Sequence, residues 1–286
     1  VIDLIPFLKF EKVRFDAANK KAEYFVKIPS VSKDNDTYFF LLYGRTGALD
    51  GSDKTEVWTD EFKMVQHLEE NPAGTAPQMK DSTINGNNGT SQGSMTADDL
   101  VEAKVAKGLD FDGSNDYIQC DKNGIPYGSS ARTIRALIKY TSTGGVICAI
   151  NTASGQKYIV SIVNVSGTWY LFADGVNTKN NIAISGSEIP SSDSWAYIAF
   201  TLAGSNNWKY YLNGELKKNG TFPKAINTAA PTSITIGQRL DMAGQNYHGV
   251  IDETQITNNT LSAARIKADY NSLFDTLIKE ELFILA

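Results

Sequence analysis

The stretch SWAYIAFTLAGSNNWKYYLNGELKKNG, Ser194 to Gly220, decides the fold. From Trp195 to Leu202 both alternating faces are apolar, with Trp195, Tyr197 and Ala199 on one and Ala196, Ile198 and Phe200 on the other. Side chains alternate across a strand, so such a run predicts a central strand covered on two sides. The polar turn Gly204-Ser205-Asn206 follows, then the aromatic run Trp208 to Leu212, then Asn213-Gly214. Those two residues tolerate the positive φ of a tight hairpin turn, so two and then a third antiparallel strand are predicted in succession.

Outward from there, short apolar runs recur between turn residues at 109–111, 117–120, 133–140, 145–150, 158–165, 169–173, 181–184, 233–236 and 250–256. This cadence, with no helix between strands, predicts an all-β antiparallel β-sandwich of jelly-roll type. One short C-terminal helix is predicted, because Ser262 can cap AARIKADYNSL, in which Ile266, Tyr270 and Leu273 form one apolar stripe. Residues 1–57 read as a smaller β-rich segment containing Glu11 to Phe15, Ala22 to Ile28 and Thr37 to Tyr43; the last is apolar on both faces and is predicted to be a buried strand. Residues 58–70 carry helical and strand spacings together, and both readings stay open. Residues 71–99, rich in Asn, Gly, Ser, Thr, Pro and Asp, predict a string of turns. The expected division is 1–57, 58–279 and an apolar tail 280–286, whose run Leu282 to Ala286 suits pairing with a sheet edge of this chain or another.

A hydrophobic fraction of 42% in 286 residues is enough for a substantial core. A net charge of −5, with no basic cluster beyond pairs, excludes nucleic acid as an expected partner. No apolar run is long enough for a membrane span. The first residue is Val1, which suggests a processed or trimmed piece. Cys120 and Cys148 could pair if their strands are neighbours, against the plainer expectation of two unpaired thiols in strands.

Several segments carry a resemblance. KGLDFDGSNDYI (Lys107 to Ile118), DSWAYIAFTLAGSNNWKYYLNGEL (Asp193 to Leu216), TSITIGQR (Thr232 to Arg239) and HGVIDETQITNNTLSAARIKADYN (His248 to Asn271) resemble, in order and spacing, the laminin-G-like jelly rolls of the concanavalin A-like superfamily. HLEE (His67 to Glu70) with DSTINGNNGT (Asp81 to Thr90) is similar to that family's first strand and following loop. FDAANKKAEYFVKIPSVSKDNDTYFFLLYG (Phe15 to Gly44) resembles the second half of the domain of unknown function DUF2341. That domain precedes such jelly rolls in bacterial and archaeal surface proteins and in viral tail or fibre proteins. The resemblance implies a lectin-like module located outside the cell, on a cell surface or on a virion.

Three chemistries follow. Related glucanases space their acids as E-x-D-x-E or E-x-D-x-x-E along one strand; here the nearest candidate is Asp252-Glu253, adjacent and therefore expected on opposite faces, so no catalysis is expected. Asp110, Asp112, Asn115 and Asp116 fall in one oxygen-rich turn of a kind that suits calcium; Asp112, Asp116 and Asp252 are the candidate ligands, against the plainer reading that the turn only leads into the next strand. Sugar rings stack on aromatic faces while amides bond their hydroxyls, which makes Trp169, Trp208, Gln245, Asn246 and Tyr247 the candidate glycan-binding residues, against the plainer reading that the tryptophans are buried between the two sheets. The expected function is non-catalytic recognition of a glycan or other cell-surface ligand. The alternative is a structural subunit of a fibre or tail that binds homo-oligomeric or fibre neighbours and no sugar.

Overall fold

The computed structural model describes residues 7–32, 34–42, 45–141, 144–153, 157–172, 181–204, 206–223, 225–241 and 244–275. The chain forms two compact units, 1–60 and 61–286. In the first, β1 (Phe10–Asp16) and β2 (Lys21–Val26) pair antiparallel, and a single helical turn, α1 (Lys54–Val57), follows later. Trp58 closes this unit: its Nε1 donates to Glu11 Oε2 at 2.5 Å and its ring lies 5.1 Å from that of Phe25. The buried strand expected over 37–43 does not form in its described part. Tyr38, Leu41 and Leu42 are each about two-thirds exposed or more, and no ladder among the described residues reaches the run. An apolar pattern on both faces marks a strand only where partners exist to cover it, and this unit's described sheet has two strands.

The second unit is a sandwich of two antiparallel sheets. Its strands are β3 (Phe62–Gln66), β4 (Gly89–Gln92), β5 (Leu100–Glu102), β6 (Lys107–Asp112), β7 (Tyr117–Cys120), β8 (Arg132–Tyr140), β9 (Gly144–Thr152), β10 (Tyr158–Val165), β11 (Thr168–Phe172), β12 (Asn181–Ile184), β13 (Ala196–Ala203), β14 (Asn207–Leu212), β15 (Glu215–Thr221), β16 (Pro231–Ile236) and β17 (His248–Thr257). One sheet runs β12-β11-β10-β9-β16-β7-β4; the other runs β15-β14-β13-β8-β17-β6-β5, with β3 also paired to β17. β17 thus has β8 along one side and divides its other side between β6 and β3.

The core lies between the sheets, where Ile134, Ala136 and Ile138 of β8 and Ile198, Phe200 and Leu202 of β13 meet Ile147, Ile150, Ile234 and Ile236. β13 is covered twice, as expected, because Tyr197 and Ala199 on its other face pack under the helix α2 (Ala263–Leu273) with Leu137, Tyr211 and Ile266. Ser262 caps that helix by accepting from the Arg265 amide at 3.2 Å. The β14–β15 turn places Asn213 and Gly214 at φ 52° and 75°. The ambiguous stretch 58–70 resolves as a strand, β3, that ends just before His67. The segment after it is organised by Asp81, whose carboxylate accepts from the amides of Val65, Thr83 and Asn87 and from the Thr83 hydroxyl. Cys120 and Cys148 are free and buried. The tail run Leu282 to Ala286 lies outside the described residues.

Candidate functional site

The turn from β6 to β7 holds Asp112 and Asp116 together. Asp112 Oδ1 accepts from the amides of Ser114 (2.7 Å), Asn115 (3.1 Å) and Asp116 (3.4 Å), and Asp116 Oδ2 accepts from the Asp112 amide at 3.2 Å. Burial works to raise the Asp112 carboxyl, but those amides outweigh it and hold the group below the usual range. Asp116 is pushed up to about 6 by burial and then by the charge of Asp112. Gly93, at φ +88°, lets the 93–94 backbone pass this turn; a Cβ there would stand 2.2 Å from the Asn115 carbonyl oxygen.

The proposed third ligand is elsewhere. His248 of β17 pairs with Asp112, which puts Asp252 four residues further along, roughly 13 Å at strand rise. Its Oδ2 accepts from the Val105 amide at 2.9 Å. Among the described residues no group of three or more His, Cys, Asp or Glu is placed to hold a metal. Calcium takes six to eight oxygens, and the donor set Asp112, Asp116 and Asp252 does not fit it, since the three do not converge and Asp112 Oδ1 already serves three amides.

The residues proposed for sugar stacking also separate. Tyr247 is 1% exposed, its ring edge-on to Phe111 at 6.3 Å. Trp208 is 7% exposed, stacked between Phe200 at 5.9 Å and Phe222 at 5.8 Å. Both are core residues, so neither offers a ring face to a ligand. The reason is parity: Trp208 shares its face of β14 with Tyr210 and Leu212, and that face is the core face. Trp169 is half-buried, tilted against Tyr140 with ring centres 5.2 Å apart. Asn246 donates from Nδ2 to the Ser114 carbonyl, tying its loop to the Asp112 turn. Gln245 Oε1 accepts from Arg239 Nη1 at 3.4 Å. Asp241 takes Arg239 in two bonds, 2.9 and 3.0 Å, and Lys157 besides. Burial raises Asp241, but these two cations outweigh it and hold the carboxyl far below its usual range.

The adjacent acids of β17 depart from simple alternation. A bulge between Asp252 and Gln255, with Glu253 at φ 53°, inserts one extra residue opposite β8. Both acids are buried: Glu253 Oε1 lies 2.6 Å from His67 Nδ1, and Oε2 accepts from Gln255 Nε2 at 3.2 Å. Gln255 Oε1 in turn accepts from Arg135, which pairs with Asp269 of α2. Burial, then the neighbouring Glu253 charge, pushes Asp252 well above the usual carboxyl range.

Beyond the other end of β17, the β7–β8 connection borders an open groove of about 850 Å³ lined by Lys122, Asn123, Tyr127, Ser130, Pro231 and Asn258 among others. Sequence reasoning missed it. The signal was Pro126-Tyr127-Gly128, an aromatic set between two turn residues, and Tyr127 is 53% exposed.

The family model described as the concanavalin A-like lectin/glucanases superfamily matches residues 112–267. No curated protein sequence matches the chain. Among solved structures, domain 4 of AbnA, a GH43 extracellular arabinanase from Geobacillus stearothermophilus in complex with arabinotriose, is similar at TM-score 0.55 and 18% identity, over 73% of this chain and 98% of that one. The botulinum neurotoxin serotype D binding domain is similar at TM-score 0.55 and 16% identity, over 74% of this chain and 52% of that one. A botulinum neurotoxin DC binding domain in complex with rat synaptotagmin II is similar at TM-score 0.55 and 15% identity, over 75% and 52%. The match therefore spans about half the length of those toxin domains. At such identities the likeness is one of fold, and it agrees with the family match: the chain belongs to the concanavalin A-like lectin/glucanases superfamily.

Proposed function

We propose that this protein is a non-catalytic recognition module whose ligand is carbohydrate. The observation that carries the reading is the sandwich itself, which this chain shares over nearly the whole length of an arabinanase domain solved with arabinotriose. The state of the acids supports it. Asp252 and Glu253, the pair nearest to a glycosidase arrangement, are 0% and 2% exposed and engaged with Val105, His67 and Gln255, so a glycosidic bond has no access to them. An extracellular or surface location accords with this role, and among the described residues no helix is long and apolar enough to cross a membrane. Fold alone hosts many activities, so the test is binding. A glycan array probed with the full chain is expected to give at least one class of bound oligosaccharide, with no release of reducing ends on incubation. Hydrolysis abolished by Glu253→Gln would overturn the non-catalytic half of the reading.

A second reading, a structural subunit of a fibre or tail, is favoured by the exposed apolar run Tyr38 to Leu42 in the first unit. Such a subunit would self-associate without sugar. Mass measurement in solution, alongside the array, separates the two: a glycan-binding monomer supports recognition, and a ligand-free polymer supports the structural role.

A further inference from the structure

We infer that the groove beside the β7–β8 connection is the glycan subsite, with Tyr127 as its stacking platform and Lys122, Asn123, Ser130 and Asn258 as its hydrogen-bonding rim. The inference rests on the carbohydrate reading above and gives it a location. Trp208 and Tyr247 spend their faces on the core, whereas Tyr127 is 53% exposed while its neighbours Ile125 and Pro126 are buried. Those two anchor the loop, and the phenol is left outward.

The loop is held from beneath. Arg132, fully buried, donates from Nη2 to the Gly128 carbonyl at 2.8 Å, from Nε to the Ser130 carbonyl at 3.1 Å and from Nη1 to Thr228 Oγ1 at 3.2 Å. Its guanidinium lies 5.1 Å over the Tyr158 ring. Gly128 and Thr228 exchange both backbone bonds, at 2.9 and 3.3 Å, and the Ser130 amide closes on the Tyr127 carbonyl at 3.3 Å. A loop so tied has its backbone set before any ligand arrives, which lowers the ordering cost of binding.

The facing wall is equally fixed. Asn87 accepts from the Asn123 amide at 2.5 Å and donates to the Asn123 carbonyl at 2.9 Å, while Asn123 Nδ2 donates to the Asn85 carbonyl at 3.1 Å. Gly124, at φ +68°, makes the turn that brings Asn123 to the rim. The Asn258 amide is fixed on the Glu61 carbonyl at 2.9 Å, and its side chain is exposed beside those of Lys122 and Ser130.

The chemistry of the lining selects the ligand class. A sugar ring has an apolar C–H face and a polar perimeter, and here a flat phenol and Pro231 stand among an ammonium, two carboxamides and a hydroxyl. The lining includes one cation and no carboxylate, so a cationic ligand is disfavoured and a neutral or uronate-bearing oligosaccharide is accommodated. The groove is shallow and open to solvent, with about 850 Å³ of free space along its lining.

The test uses the full chain on an array of neutral and uronate-bearing oligosaccharides, followed by calorimetric titration of the strongest binder against variants. Tyr127→Ala is expected to weaken binding by about tenfold or more, Tyr127→Phe by less than about threefold, because the stacking needs the ring rather than the hydroxyl. Lys122→Ala and Asn258→Ala, both at exposed positions, are each expected to weaken it by about two- to tenfold with an unchanged unfolding midpoint. If the wild-type chain binds a glycan and Tyr127→Ala together with Lys122→Ala leaves the affinity unchanged, the groove assignment is overturned and the carbohydrate reading stands. If the wild-type chain binds nothing on the array, both are overturned.

Discussion

Asp241 is the carboxylate on which two largely buried cations, Lys157 and Arg239, converge. Its carboxyl is depressed in the folded state, so the stability it contributes is complete above the ordinary value of 3.8 and is lost as the pH falls below that value. Asp241→Asn is expected to lower stability at neutral pH, where it removes the counter-charge that Lys157 and Arg239 share, and to flatten the acid limb of the stability profile. Urea unfolding midpoints between about pH 5 and about pH 3 check this; a variant with the wild-type acid slope would show that the clasp does not contribute. At this scale the sequence identified residue types better than their places. Asp112 and Asp116 could be read as turn formers because an Asx side chain bonds the amides that follow it. That Asp252 lies a strand's length away depends on the register of β17 against β6, and no local pattern encodes register across such a separation. Trp208 was partly legible, since Tyr210 and Leu212 at the same parity mark its face as the core face. Tyr127 was overlooked because the hydrogen bonds that fix it come from Arg132 and Thr228, the second of them about a hundred residues downstream.

Elements with a complete local signal form as expected. β13 is apolar on both faces and finds the opposing sheet on one side and α2 on the other. The helix has its cap, its stripe and a greasy bed in Leu137, Tyr197 and Tyr211. Ser262→Ala is expected to cost about 1 kcal/mol by leaving the Arg265 amide without its acceptor, measurable as a lowered midpoint in chemical denaturation. No change in midpoint would mean that packing alone fixes the helix start. Elements that depend on a partner strand were less legible. Residues 37–42 have a stronger strand composition than β4, yet β4 is a strand because β7 lies beside it, whereas no described strand lies beside 37–42. The bulge at Asp252–Gln255 was invisible because its signal is a backbone angle at Glu253, a residue type that gives no hint of positive φ.

At the scale of the molecule, a two-layer antiparallel architecture was readable from cadence alone, whereas strand order was not. The order has a consequence for the emergence of the chain from the ribosome. Among the described strands of the sandwich β17 is the last in sequence, yet it stands in the interior of its sheet, with β8 on one side and β6 and β3 on the other. Until it arrives, β15-β14-β13-β8 and β6-β5 are separate ribbons, and β3, the first described strand of the unit, has no other neighbour in that sheet among the described residues. Closure of the oily interior thus waits on a keystone made after all the other described strands, a non-local connectivity of the kind that slows folding and leaves nascent segments exposed. Stalled chains ending before His248 are expected to be cut readily by protease, and chains extended past Thr257 and clear of the exit tunnel to resist it. Equal resistance in the two would mean that the sandwich assembles without its keystone.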